Sequence, residues 1–253
     1  MINLCYAGTI DWIYRRKRTH SKTGVLDIKT GKPQPQHAYQ VGLYAHAIKA
    51  DCAKLLYIDP LDPSEDGFKE VDVDVFWSDN PEANMGSRQQ MRLLEIASRA
   101  IRPQQTNLVH GYVDHIFDED FALRKGVHIK FLEDTHEYVV SWKDPDEDRL
   151  QMFRLPSVNQ LLEQAGIAKK FRANSFISKE DYVKYAQIGT SIHKWIEWHE
   201  KTGEELPSEL DEAYHNSIKQ WEGWKKSRPN LELVSSETVT ASYINLYQVV
   251  KGI

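Results

Sequence analysis

The spacing of apolar and polar positions changes along the chain, and each change marks an element. Ile2 to Ile13 is apolar and β-prone and runs through Asp11-Trp12. A basic, turn-rich stretch follows, Arg15-Arg16-Lys17-Arg18 and then Ser21-Lys22-Thr23-Gly24. Val25 to Lys29 reads as a short strand closed by Thr30-Gly31-Lys32-Pro33. From about Gln36 to Ala50 the period lengthens, with Tyr39, Leu43 and Ala47 spaced by four, which predicts a helix. Ala53 to Ile58 is a continuous apolar strand candidate. Val71, Val73, Val75 and Trp77 alternate with Asp72, Asp74 and Phe76, as in a strand near a sheet edge. Arg88 to Ile101 carries the stripe of an amphipathic helix.

Residues 103–126 break that order. Pro103-Gln104-Gln105 opens the stretch, Asp118-Glu119-Asp120 is an acidic run, and the whole reads as a connector. A β-hairpin is expected next: Val127 to Leu132, a turn at Glu133-Asp134-Thr135, then Glu137 to Trp142. Asp144 to Asp148 is a charged loop. Ser157 caps a helix from Val158 to Ala165, stopped by Gly166. Tyr182 to Lys201 and Asp211 to Ser227 are helices, and Leu233 to Tyr247 is β-like. Strands interspersed with helices in this order predict an α/β protein: a mixed sheet with helices packed over it.

Composition narrows the function classes. With 41% apolar and 27% charged residues, the 253-residue chain can bury a sizeable core. Acids exceed bases by 37 to 32, a net charge of −5, so no general basic excess coats the surface. Contact with a nucleic acid would then rest on local patches, and Arg15–Arg18 and Lys169-Lys170-Phe171-Arg172 are the candidates. Two cysteines, Cys5 and Cys52, are too few for a disulfide framework or a four-cysteine zinc or iron–sulfur site. No apolar run approaches the roughly 18–20 residues that span a membrane, and the N-terminus lacks the pattern of a signal peptide. A reducing, cytoplasmic setting with no membrane partner is the expectation.

Four small patterns carry chemistry. In Asp27-Ile28-Lys29 a period of two puts the acid and the lysine on one face, where a carboxylate holds a cation and an ammonium offsets charge beside a phosphodiester. The same tripeptide also suits a surface ion pair on an edge strand. Gly8-Thr9-Ile10-Asp11 precedes it, and if the two strands are neighbours Asp11 and Asp27 converge as a hard-oxygen site for Mg²⁺ or Mn²⁺. Gln40 and Tyr44 share a helix face, in reach of a substrate or of the lysine, though a tyrosine there is also an ordinary core residue. His193 follows Gly189 by four on a long helix; the glycine permits close packing and the imidazole is a possible metal ligand. The zinc-protease pattern His-Glu-x-x-His is absent, since Lys194 follows His193. Trp221 and Trp224, like Trp195 and Trp198, read as core packing.

Together these pieces resemble the RecB-like branch of the PD-(D/E)XK nuclease superfamily. The resemblance rests on Gly189…His193, Gly8-Thr9-Ile10-Asp11, Asp27-Ile28-Lys29-Thr30-Gly31 and Gln40-Val41-Gly42-Leu43-Tyr44. Phe131, His136-Glu137-Tyr138 and Leu155-Pro156-Ser157-Val158 are similar to the opening of phage and mitochondrial exonucleases of that branch. It implies a restriction-endonuclease-like mixed central β-sheet flanked by helices. It also implies His193, Asp11, Asp27 and the Ile28 carbonyl as metal ligands, and Lys29 as the catalytic lysine. Gln40 and Tyr44 would support the lysine and the nucleic-acid strand, and Glu237 matches an acidic position beside the site. Arg15, Arg16, Lys17 and Arg18, on the loop between the two aspartates, would project beside it and contact phosphates. No iron–sulfur cluster is implied.

The order differs from that family, whose histidine helix precedes the aspartate strands. Residues 1–102 correspond to its second half, 103–126 to a connector and 127–253 to its first half, together one circularly permuted domain. The expected activity is metal-dependent exonuclease cleavage of DNA, single-stranded or with free ends, in recombination, repair or phage DNA metabolism. A structure-specific endonuclease and a catalytically weakened nucleic-acid-binding or interaction protein are the alternatives. Both chain ends are expected in or beside the central sheet. His193 is expected to meet Asp11, Asp27 and Lys29 either within one chain or across a swapped homodimer.

Overall fold

The computed structural model describes residues 5–17, 19–73, 104–105, 127–132, 137–144, 149–168 and 179–243. The expected strand positions Val75 and Trp77, the helix over 88–101, most of 103–126 and the patch at 169–172 lie outside the described residues.

The protein is α/β, built on a mixed five-stranded sheet flanked by helices. Its strands are β1 (Cys5–Arg16), β2 (Thr19–Lys29), β3 (Cys52–Tyr57), β4 (Lys69–Val73) and β9 (Leu231–Tyr243), in the order β4-β3-β2-β1-β9. β2 and β3 are parallel and every other neighbour is antiparallel. The parallel pair needs a crossover, supplied by helix α1 (Pro35–Ile48). A second, four-stranded sheet has the order β5-β8-β7-β6, from β5 (Gln104–Gln105), β6 (Val127–Leu132), β7 (Glu137–Asp144) and β8 (Arg149–Leu155). It is joined to the first where the Ala7 N–H meets the Pro156 carbonyl at 2.9 Å.

Each face of the central sheet is covered by helices. On one side α1 and the short α2 (Val158–Gln164) pack on Tyr6, Ile10, Ile13, Val25 and Leu55. Ser157 caps α2 with a full capping box to Gln160, as the sequence predicts. On the other side α3 (Lys179–Thr202) and α4 (Glu212–Ser227) pack on Trp12, Leu26, Ile28 and Leu56 through Ile192, Ile196, Trp221 and Trp224. Trp12, Trp221 and Trp224 form a buried stack with centroids 5.5 and 5.0 Å apart. Trp195 and Trp198 are instead a half-buried edge-to-face pair.

Three expectations are corrected. The stretch Arg15–Gly24 is a long hairpin, not a turn-rich loop: β1 runs to Arg16 and β2 begins at Thr19, with Arg15 opposite Thr23. The third strand explains this, because β9 continues alongside to the Arg16–Leu231 pair and gives polar residues of weak strand propensity a ladder on both sides. Arg149–Leu155 is a third strand beside the expected hairpin, and Gln104–Gln105, read as connector, pairs with it.

Gly8 is a close approach that fixes α1 on β1. A Cβ built there would lie 2.4 Å from Tyr44 Cε1 and 3.2 Å from Val158 Cγ2. Gly8→Ala should therefore destabilise the fold by about 1–3 kcal/mol, the usual cost of overpacking. Tyr44→Leu in the same chain should recover part of it. Urea unfolding of the single and double variants measures both effects.

Candidate active site

The site forms where two paired strands part. The β1–β2 ladder ends at the Trp12–Leu26 pair, and the next residues out are Asp11 and Asp27. Beyond that point Ile28 has no ladder partner on β1. Its N–H donates instead to Asp11 Oδ2 at 2.6 Å. A carboxylate thus replaces a backbone carbonyl and keeps the gap between the strands open and polar.

On the other edge of β1, Ile10 pairs with Thr238 and Trp12 with Ser236, so Glu237 stands opposite Asp11. Glu237 has φ +45°, a left-handed conformation that a non-glycine strand residue rarely takes. The side-chain alternation of β1 also shifts here. Ile10 and Ile13, three apart, lie in the same core layer, while Trp12 and Tyr14 lie in the opposite one. The site row is irregular in both strands, the kind of local strain found where side chains must be re-aimed.

His193 comes from α3, more than 160 positions beyond Asp27 in the sequence. Its Nδ1 lies 3.6 Å from Asp11 Oδ1, an ion-pair contact longer than a hydrogen bond. Gly189, one turn earlier, lets α3 approach β2: a Cβ there would be 3.1 Å from Thr30 Oγ1. One turn later Glu197 accepts from Ser236 Oγ at 2.6 Å, tying α3 to β9 beside Glu237. Asp11, His193 and Glu237 each offer a ligand atom within 4.8 Å of the others.

Asp27 is 1% exposed, and Lys29 Nζ lies 2.7 Å from its Oδ2. That oxygen nonetheless has no hydrogen-bond partner of good geometry among the described residues. Burial, partly offset by Lys29 and increased by Asp11, pushes the Asp27 carboxyl up to about 6. Glu237 is the exposed member of the group, yet partial burial of its carboxyl with the Asp11 charge pushes it up to about 7. Asp11 is also buried, yet His193, Lys29 and the Ile28 N–H outweigh burial and hold it below its ordinary value. Burial of Lys29 is outweighed by Asp27 and Asp11, so its amine stays an ammonium well past neutrality. His193 is likewise raised, burial being outweighed by Asp11. The carboxylates of Asp11 and Glu237 with the His193 imidazole are a group that could hold a divalent cation, with the buried Asp27 carboxylate on the neighbouring strand.

The remaining sequence candidates fall into place differently. Ile28 gives its N–H to Asp11 and buries its side chain under α3 and α4. Gln40 Nε2 donates to Tyr44 Oη at 2.9 Å, as their spacing suggests. Tyr44, however, is 6% exposed and packs in the floor below Asp27, so it does not face a strand in solution; the space at Gly8 draws its ring inward. Arg15, Arg16 and Lys17 are not beside the aspartates. They lie four to six residues along extended strands from Asp11, roughly 13–20 Å away at about 3.3 Å per residue. Arg18 lies outside the described residues.

Sequence reasoning missed Tyr57, paired across the ladder with Lys29, and Thr9, whose hydroxyl lies 3.1 Å from Tyr138 Oη of the second sheet. The parallel β2–β3 register would have found the first, and no sequence signal marks the second. The convergence occurs within one chain, so no swapped partner is needed to complete it. Among the described residues no helix is long and apolar enough to cross a membrane. No protein-family model, curated protein or solved structure matches the chain.

The raised acids set a pH dependence. A carboxyl whose value is higher folded than unfolded keeps its proton longer in the folded state, so its contribution to stability falls as pH rises between the two values. For Glu237 that window runs from the ordinary value of 4.5 up to about 7. In EDTA, Glu237→Gln should gain melting temperature relative to wild type as pH rises from about 5 to about 8. Added Mg²⁺ should narrow or reverse that gain by neutralising the wild-type carboxylate. A difference between the two proteins that does not change with pH would contradict the placement of Glu237.

Proposed function

We propose that the protein is a metal-dependent deoxyribonuclease, acting as an exonuclease on DNA that is single-stranded or has free ends, in recombination, repair or phage DNA metabolism. The observation that carries this reading is the meeting of His193 with Asp11, beside the Asp27–Lys29 pair, from segments far apart in the sequence. A chance surface ion pair of the Asp-x-Lys type would not bury Asp27 to 1% or gather a histidine from another helix beside it.

Phosphodiester hydrolysis needs a water delivered in line with the scissile P–O bond, neutralisation of the negative charge that grows on phosphorus oxygens, and a proton for the departing oxygen. A Mg²⁺ or Mn²⁺ ion, when bound, would supply Lewis acidity and a more acidic water. Asp11, Asp27, His193 and Glu237 offer it side chains, with the Ile28 carbonyl as a main-chain donor. Lys29, held as an ammonium, cannot act as a general base at neutral pH. It positions the attacking water and stabilises the developing charge on the phosphate. Asp27 keeps Lys29 aimed. Tyr44 and Gln40 support Asp27 from below.

The finer architecture belongs to the same reading: a restriction-endonuclease-like core whose halves stand in permuted order. Supporting it, β1 and β9 are neighbours with Cys5 opposite Tyr243, so in an unpermuted relative a short turn would join them.

Three outcomes test the proposal. Lys29→Ala should abolish cleavage of end-labelled linear DNA in Mg²⁺ or Mn²⁺ while leaving DNA binding within about twofold of wild type, since it removes a transition-state charge and not the binding surface. Equal activity in the variant refutes the role. Asp11→Asn and Asp27→Asn should each weaken Mg²⁺ binding by tenfold or more in calorimetry, because each removes one carboxylate from a hard cation. A closed circular substrate should remain intact with the wild-type enzyme; its cleavage would mean an endonuclease.

A further inference from the structure

Next to Lys29 stands a histidine that the metal chemistry does not use. His37 lies in the first turn of α1, half-buried, with Nδ1 3.2 Å from Tyr57 Oη and ring centroids 5.8 Å apart at 35°. Tyr57 is paired with Lys29 across the β2–β3 ladder and is 8% exposed. The Gln34 backbone N–H donates to the Tyr57 oxygen, and burial holds the phenol above its usual range, so the phenol keeps its proton. When the Tyr57 O–H donates to His37 Nδ1, the neutral imidazole carries its proton on Nε2.

His37 is held neutral as well as oriented. Burial, with the charge of Lys29 added, pushes it down to about 4. Its Nε2 meets no partner among the described residues. The chain in front of it, Gly31 to Pro35, is exposed, and a Cβ added at Gly31 would touch nothing within 4 Å. No acidic side chain stands in the first turn of α1, and Gln34 makes no side-chain cap. A polyanion approaching Lys29 along this edge therefore meets an N–H donor and no carboxylate from α1. A neutral donor is also what the position tolerates, since a second cation beside Lys29 would be repelled by it.

We propose that His37 is a substrate-positioning residue: its Nε2–H, set by Tyr57, donates to a non-bridging oxygen of the phosphodiester next to the one being cleaved. The inference rests on the nuclease reading and specifies where the strand runs, from Lys29 over the N-terminal turn of α1.

The test uses a fluorescein-labelled single-stranded oligonucleotide with wild type, His37→Ala, His37→Gln and Tyr57→Phe. Cleavage is followed in Mg²⁺ and binding by anisotropy in EDTA. His37→Ala should raise KM and Kd roughly ten- to hundredfold, the worth of one hydrogen bond to a charged group, with kcat within about twofold. The slope of log Kd against log salt should not change, because a neutral donor displaces no counterion. His37→Gln, which keeps a donor, should recover most of the loss, and Tyr57→Phe should lose part of it. A methylphosphonate walked along the oligonucleotide should weaken wild type at one linkage and leave His37→Ala indifferent there. A fall in kcat alone, or an unchanged methylphosphonate profile in His37→Ala, overturns the proposal. Wild type that binds but does not cleave overturns the nuclease reading and leaves the binding arms to judge His37. Wild type that does neither overturns both.

Discussion

The Asp11 carboxylate organises the centre of this molecule. It is bound on one side by the Ile28 N–H and faced on the other by His193. The first contact substitutes for a sheet hydrogen bond just where β1 and β2 part, so the sheet can open without an orphaned backbone donor. The second draws α3 over the gap. Like charges stand close by in Asp27 and Glu237, both pushed up toward neutrality. Remove Asp11, and the strands have no reason to part here and His193 loses the partner that raises it. The low value of Asp11 beside two raised neighbours makes the site an electrostatically loaded spring that a divalent cation would relax.

Packing around the gap is set by small residues rather than by polar ones. Gly8 lets Tyr44 sit directly under the sheet, and Gly189 lets α3 touch the end of β2 at Thr30. Both contacts place rigid elements, not loops, behind the functional groups. Tyr44 and Gln40 lie below Asp27, and the Trp12–Trp221–Trp224 stack holds α4 on the opposite face. A constellation supported this way keeps its geometry when substrate is absent, which is what preorganised electrostatic stabilisation requires.

The sequence made part of this legible. Helices with clear apolar period or an explicit cap, such as α1, α2 and α4, fall within a few residues of where spacing places them. The Gly-x-x-x-His and Asp-x-Lys spacings name the side chains that meet. What local pattern does not carry is pairing. The hairpin through Arg15–Gly24 is ordered because β9 runs alongside it, and β9 comes from the far end of the chain. For the same reason the basic run Arg15-Arg16-Lys17 looks adjacent to both aspartates in sequence and is carried away from them by two extended arms. Tyr44 reads equally as a substrate-facing residue or as core until Gly8 shows the space it fills, and Tyr57 becomes a neighbour of Lys29 only through a parallel register.

The seam between β1 and β9 has a consequence for biosynthesis. These strands share an extended ladder, from Cys5–Tyr243 to Arg16–Leu231, yet one emerges from the ribosome well before the other. Until residues 231–243 have been made, β1 presents an open edge and Glu237 does not exist, while His193 and the aspartates have no finished sheet between them. Closing so long a loop is slow compared with forming local structure. A nascent chain is therefore expected to need shielding at that edge, and the site is completed only when β9 docks. Translation order itself then decides when the constellation can form.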